Sequence, residues 1–131
     1  MATVPLLSDE EASAEALAVF DDIRATRGTD YVNNFWRALA HDPALLRATW
    51  ERLKVVMGPG ALDPLVKEMI YVAVSTANGC EYCVHSHTAA ARAKGMTPAQ
   101  HSEMLAVIGM AMQTNGIVTG LQVPVDDIFK A

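Results

Sequence analysis

Charge is scarce in this chain, and basic charge is scattered. Charged side chains make up 19% of the 131 residues against 51% apolar, and ten Lys and Arg set against fifteen Asp and Glu leave a formal net charge of -5. Phosphate contacts need clustered Lys and Arg, and no basic stripe is present, so a nucleic-acid partner is not expected. A long apolar run is missing too. The longest, residues 104–112, stops at polar Gln113 and is too short to span a bilayer, so no membrane segment is expected. The first eleven residues lack a basic region and turn acidic at Asp9, Glu10 and Glu11, unlike a secretory leader, which makes the cytoplasm the default expectation. Repeats, low-complexity tracts and long linkers are lacking, and a single continuous domain over residues 1–131 is expected. No stretch alternates apolar and polar residues with period two, which excludes most strands and leaves an all-α chain of about six helices. A chain this small has much surface for its volume, so part of its apolar surplus should be covered between subunits.

The helices announce themselves by caps and breakers. Ser8 and Glu11 form a capping-box pattern, predicting a helix from there to about Arg27, with Ala12, Ala16, Val19, Phe20 and Ile23 at helical spacing and Gly28 as the stop. Asp30 is the expected cap of a short second helix carrying Phe35, Trp36 and Leu39. Asp42-Pro43 and Asp63-Pro64 each read as an N-cap followed by proline at the first helical position. They open helices ending at the Gly58-Pro59-Gly60 breaker and at Asn78-Gly79. The next helix is expected over residues 80–94, closed by Gly95. Thr97 and Gln100 then begin a Met-rich helix to about Asn115.

Cysteine is the other scarcity. There are only two, Cys80 and Cys83, three residues apart at the start of a helix. In a reducing compartment such a pair is more often catalytic, redox-sensing or metal-binding than a permanent staple. With His87 the pair is spaced i, i+3, i+7, which places all three within roughly a 60° sector of one helix. Residues so spaced have Cβ atoms about 5–6 Å apart, a little wide for a relaxed disulfide but within reach of a small adjustment. The free N–H groups of a helix N-terminus favour a thiolate, and an imidazole one turn on can move protons. Glu68 enters the most apolar segment of the chain and needs a partner there. The Asn78-Gly79 turn brings its helix back beside that of Cys80, within reach of His87, whose tautomer a carboxylate would fix. Off this stripe, His85 lies about 140° and Tyr82 about 200° from Cys80 and read as surface or packing residues. Zinc is the rival chemistry, because Cys80, Cys83, His87 and either Glu68 or His85 would supply four ligands. That rival makes the chain a zinc-stabilised or redox-sensing oligomeric binding module without turnover. A thioredoxin-like protein is disfavoured for want of a βαβ pattern.

The segment Glu68-Met-Ile-Tyr-Val-Ala-Val-Ser75, followed by Asn78-Gly-Cys-Glu-Tyr-Cys-Val-His-Ser-His87, resembles the signature of the carboxymuconolactone decarboxylase superfamily, in its alkylhydroperoxidase D-like branch. That branch has a Glu twelve residues before the first Cys of a Cys-x-x-Cys-x-x-x-His motif, as here. The resemblance extends loosely from residue 30 to 115. It implies an all-α fold with the motif at the start of a central helix, homo-oligomers such as trimers or hexamers, and peroxidase or disulfide-exchange chemistry without metal or organic cofactor. By the family pattern the substrate is a hydroperoxide or disulfide and the electron donor a thiol, free or on a protein. Cys83 would become the sulfenic acid, Cys80 would be proton donor and resolving thiol, and Glu68 and His87 would form the proton relay. The chain departs from the best-studied members in having Tyr82, where they have His, before the second Cys.

Overall fold

The computed structural model describes residues 1–130 and is all-helical, with no strand among them. Six α-helices follow in order: α1 Ala14–Arg27, α2 Asn34–Leu39, α3 Pro43–Met57, α4 Pro64–Ala77, α5 Glu81–Ala93 and α6 Pro98–Leu121. A single 3-10 turn, Asp127–Phe129, comes after them. The chain packs as two compact units, Met1–Gly58 and Pro59–Ala131.

The first unit is built on α1 and α3. Ala16, Val19, Phe20 and Ile23 make the buried stripe of α1 and meet Trp36, Leu46 and Trp50, with the two indoles edge to face at 5.4 Å. Its start differs from the sequence reading. Ser8 and Glu11 do exchange hydrogen bonds, of 2.9 and 3.3 Å, but they close a turn. The helix itself is capped by Ser13, whose hydroxyl accepts the Ala16 N–H at 3.1 Å. Residues 8–12 serve instead as a strap: Asp9 pairs with Arg24 at 2.7 Å and with Arg37 at 3.1 Å, and Arg37 also donates to the Leu7 carbonyl. Helix α2 is capped at Asn33 and not at Asp30, whose carbonyl is taken by the Arg24 guanidinium at 2.9 Å.

The second unit holds α4, α5 and α6 around Val72, Ala91, Met96, Met104 and Ile108. Asp63 and Asp42 cap their helices ahead of proline as predicted. At the end of α4, Gly79 takes φ +67°, Gly79 N–H donates to Thr76 and Cys80 N–H to Ser75 at 2.9 Å. Those two bonds are the Schellman arrangement, which satisfies the last carbonyls of a helix and turns the chain sharply. The same closure recurs after α5, where Gly95 is left-handed and Met96 N–H donates to Ala91.

The last helix runs on to Leu121, beyond the expected stop near Asn115. Residues 104–121 carry no charge, and α6, at 24 residues, is the one helix among those described that is long and apolar enough to cross a membrane by length and composition. The uninterrupted apolar run, residues 104–112, is short. The helix is longer because Gln113, Thr114 and Asn115 are polar without being charged and do not break it. Met104 and Ile108 are buried, whereas every residue from Gly109 to Leu121 is exposed.

Candidate active site

The Schellman turn sets the site. Its last residue, Cys80, is also the N-cap of α5, and the Cys80 Sγ accepts the Cys83 N–H at 3.4 Å. Both thiols are free and half-buried. Because the turn is so tight, α4 and α5 lie antiparallel and two stripes face each other. On α5 the stripe is Cys80, Cys83, His87 and, seven residues further, Lys94. On α4 it is Glu68, Tyr71 and Ser75, again at i, i+3, i+7.

The pairs across this seam are specific. Glu68 Oε2 meets His87 Nδ1 at 2.7 Å, and Glu68 Oε1 accepts from Lys94 Nζ at 2.8 Å. Tyr71 stacks on the His87 ring, centroids 3.5 Å apart and planes 17° from parallel. The Ser75 hydroxyl, buried in the same seam, hydrogen-bonds Cys83. The approach of Glu68 to His87 thus has the geometry that the spacing suggested. Glu68 is buried, its side chain only 7% exposed. Burial works to raise its pKa, but the hydrogen bonds from His87 and Lys94 outweigh it and hold the carboxyl below its usual value. An ionised carboxylate only accepts, so the proton between Glu68 and His87 belongs to Nδ1.

Cys83 departs from the simple picture of activation at a helix start. Burial pushes the Cys83 thiol up to about 11, the neighbouring Cys80 sulfur adds to the rise, and the Ser75 hydroxyl acts against it. The cap adds to the effect of burial, because Cys80 Sγ takes up the Cys83 N–H and so stands as a second sulfur beside the Cys83 thiol. Burial likewise raises the Tyr71 hydroxyl above its ordinary value, and Cys83, Cys80 and Glu68, once ionised, act in the same direction.

Of the residues picked out in the sequence, Glu68, Cys80, Cys83 and His87 gather in this seam, while His85 and Tyr82 are exposed on α5. The zinc set does not assemble: among the described residues no three His, Cys, Asp or Glu side chains converge as ligands, and both oxygens of Glu68 are engaged by His87 and Lys94. Lys94, Tyr71 and Ser75 escaped sequence reasoning. Their signal was the stripe itself, since each lies at helical spacing from a residue already singled out.

Residues 43–126 match the model of the carboxymuconolactone decarboxylase family. A crystal structure described as the alkylhydroperoxidase AhpD core of Rhodospirillum rubrum superposes with a TM-score of 0.96 at 69% identity, covering 100% of this chain and 98% of that one. The alkyl hydroperoxide reductase AhpD of Solibacter usitatus is 36% identical over 77 residues, 59% of this chain and 41% of that protein. An uncharacterised protein of the cox locus of Paracoccus denitrificans is 41% identical over 52 residues, 40% of this chain and 47% of that one. These two curated matches each span less than half of the relative's length. The family model and the likeness to the AhpD core structure establish that this all-helical chain belongs to the carboxymuconolactone decarboxylase family, on its AhpD-like side.

Proposed function

We propose that the chain is a cofactor-free thiol oxidoreductase that reduces hydroperoxides or exchanges disulfides through Cys80 and Cys83. The observation that carries this reading is the 2.7 Å contact between Glu68 and His87 one helical turn beyond the cysteine pair. A thiol held at about 11 does not ionise by itself at neutral pH, so Cys83 needs a base to become a nucleophile. His87 is that base: Nδ1 keeps its proton in the hydrogen bond to Glu68, which leaves Nε2 to accept the thiol proton.

The thiolate of Cys83 attacks the distal oxygen of R–OOH, the O–O bond breaks, and R–O⁻ leaves and takes a proton as the alcohol. Sulfur is oxidised to Cys83–S–OH. Cys80 then attacks that sulfur, the S–O bond breaks, water leaves and the disulfide forms. Two thiols of a donor, small or protein-borne, return the pair to its reduced state and leave as their own disulfide. In disulfide exchange the first step is the same attack on a sulfur instead of an oxygen.

A cytoplasmic site of action suits a resting dithiol. We further propose a homo-oligomer, a trimer or hexamer, whose contacts cover the apolar faces of α6, including Val107, Met110, Ile117, Val118 and Leu121, all at least half exposed in one chain. The test of the chemistry is hydroperoxide turnover with a dithiol donor. Cys83→Ser is expected to lose at least about 10²-fold in rate, the lower end of what acid–base assistance alone contributes. Equal activity in wild type and variant would overturn the assignment.

A further inference from the structure

Lys94 moves no proton in the proposed cycle, yet it is built into the seam. It stands at the C-cap of α5, fixed there by the second Schellman turn, seven residues from His87 and on the same stripe. Its side chain is 39% exposed and reaches back to a carboxylate that is only 7% exposed. A lysine with solvent available gives up rotamer freedom to hold such a position. The carboxylate of Glu68 therefore bridges two donors of α5, one on each oxygen, at 2.7 and 2.8 Å.

We propose that Lys94 is a positioning residue of this site, whose ammonium ties down one oxygen of Glu68 and keeps it ionised so that the other stays committed to the Nδ1–H of His87. The inference rests on the proposed Glu68–His87 relay and adds what holds it in working order. Without the ammonium, a buried carboxylate has one neutral ring to compensate it and takes up a proton more readily. A protonated Glu68 is also a donor, and it can then turn its O–H elsewhere and release the imidazole. The titratable groups around Glu68 are His87 and Lys94 on α5 and Tyr71 on its own helix. From α6, also packed on α4, the core receives Met104 and Ile108, which are apolar.

The experiment compares wild type, Lys94→Met, Lys94→Arg and Glu68→Gln as full-length proteins, each checked for helicity by circular dichroism. Two quantities are followed from pH 3 to pH 9: the side-chain carboxyl ¹³C resonance of Glu68, assigned by its loss in Glu68→Gln, and the rate of thiol loss with cumene hydroperoxide. In Lys94→Met the Glu68 midpoint is expected to rise by about one pH unit or more, the shift that one adjacent opposite charge commonly produces. The acid limb of thiol loss should move with it, slowing the reaction about tenfold at a pH on that limb. Lys94→Arg, which keeps the charge, should restore both. A purely structural lysine would change neither midpoint nor limb. If Lys94→Met leaves both in place while Glu68→Gln slows thiol loss, the role of Lys94 is overturned and the relay stands. If Glu68→Gln itself reacts as fast as wild type, the relay falls, and the role of Lys94 with it.

Discussion

At the scale of single residues, the site depends on a carboxylate that ought not to be buried. Glu68 is ionised because two donors face it, so its contribution to stability depends on pH with a definite sign. A carboxyl whose folded value is depressed stabilises the fold above its unfolded value, near 4.3, and loses that contribution as pH falls through the folded value. Replacing Glu68 with Ala is expected to cost about 2 kcal/mol at pH 7, since a hydrogen-bonded charged group is lost. The variant should also lack part of the wild-type decline in stability below pH 4.3. Urea denaturation at a series of pH values checks both, and parallel acid slopes in the two proteins would count against the assignment. Glu68 and His87 could be read together because their partnership follows from spacing plus one turn. Lys94, Tyr71 and Ser75 could not, because their roles exist only once α4 and α5 are set in antiparallel register. An isolated sequence does not fix that register, and a lysine at a helix end ordinarily belongs to solvent.

At the scale of elements, caps and breakers were the most legible part of the chain and also the part most open to misreading. Both Asp-Pro starts and the Thr97–Gln100 capping box stand where their chemistry demands. The Ser8–Glu11 pair forms its reciprocal bonds around a turn because Asp9, between them, is drawn to Arg24 and Arg37. The dipeptide Asn-Gly shows how context decides. At Asn78-Gly79 the chain leaves the helix, and the returning helix α5 packs along α4; at Asn115-Gly116 no such return follows and α6 continues. Gly79 is where this matters for the site, because its left-handed φ of +67° puts Cys80 at the start of α5. Space is not the constraint, as nothing lies within 4 Å of a Cβ added there. Gly79→Ala is therefore expected to destabilise by about 1–2 kcal/mol through backbone strain alone. It should also slow disulfide formation between Cys80 and Cys83, because the cap that aligns them loosens. Chemical denaturation and timed alkylation after peroxide treatment measure the two effects separately. Alanine as stable as glycine would mean that the turn relaxes to another form.

At the scale of the whole molecule, α6 raises the question that composition posed at the outset. Val107, Met110, Ile117, Val118 and Leu121 fall on one stripe of the helix, with Leu105 and Met112 on another, so the helix is apolar nearly all round while its second half is exposed in a single chain. A helix of that character is stable in water only when something covers it. A bilayer and a second copy of the chain both offer apolar cover, and they differ in what they tolerate. A charge in the middle of a membrane-spanning helix costs roughly 2.5–3.5 kcal/mol and displaces the protein from lipid. A charge between subunits leaves the chain in solution and lowers its assembly state. The proposed homo-oligomer therefore predicts that wild type sediments as a multiple of the chain mass without detergent. Met110→Glu should then sediment as smaller species, with helicity retained and liposome flotation absent in both proteins. Flotation of wild type with vesicles, lost in Met110→Glu, would instead assign α6 to the bilayer and remove the oligomer from the account.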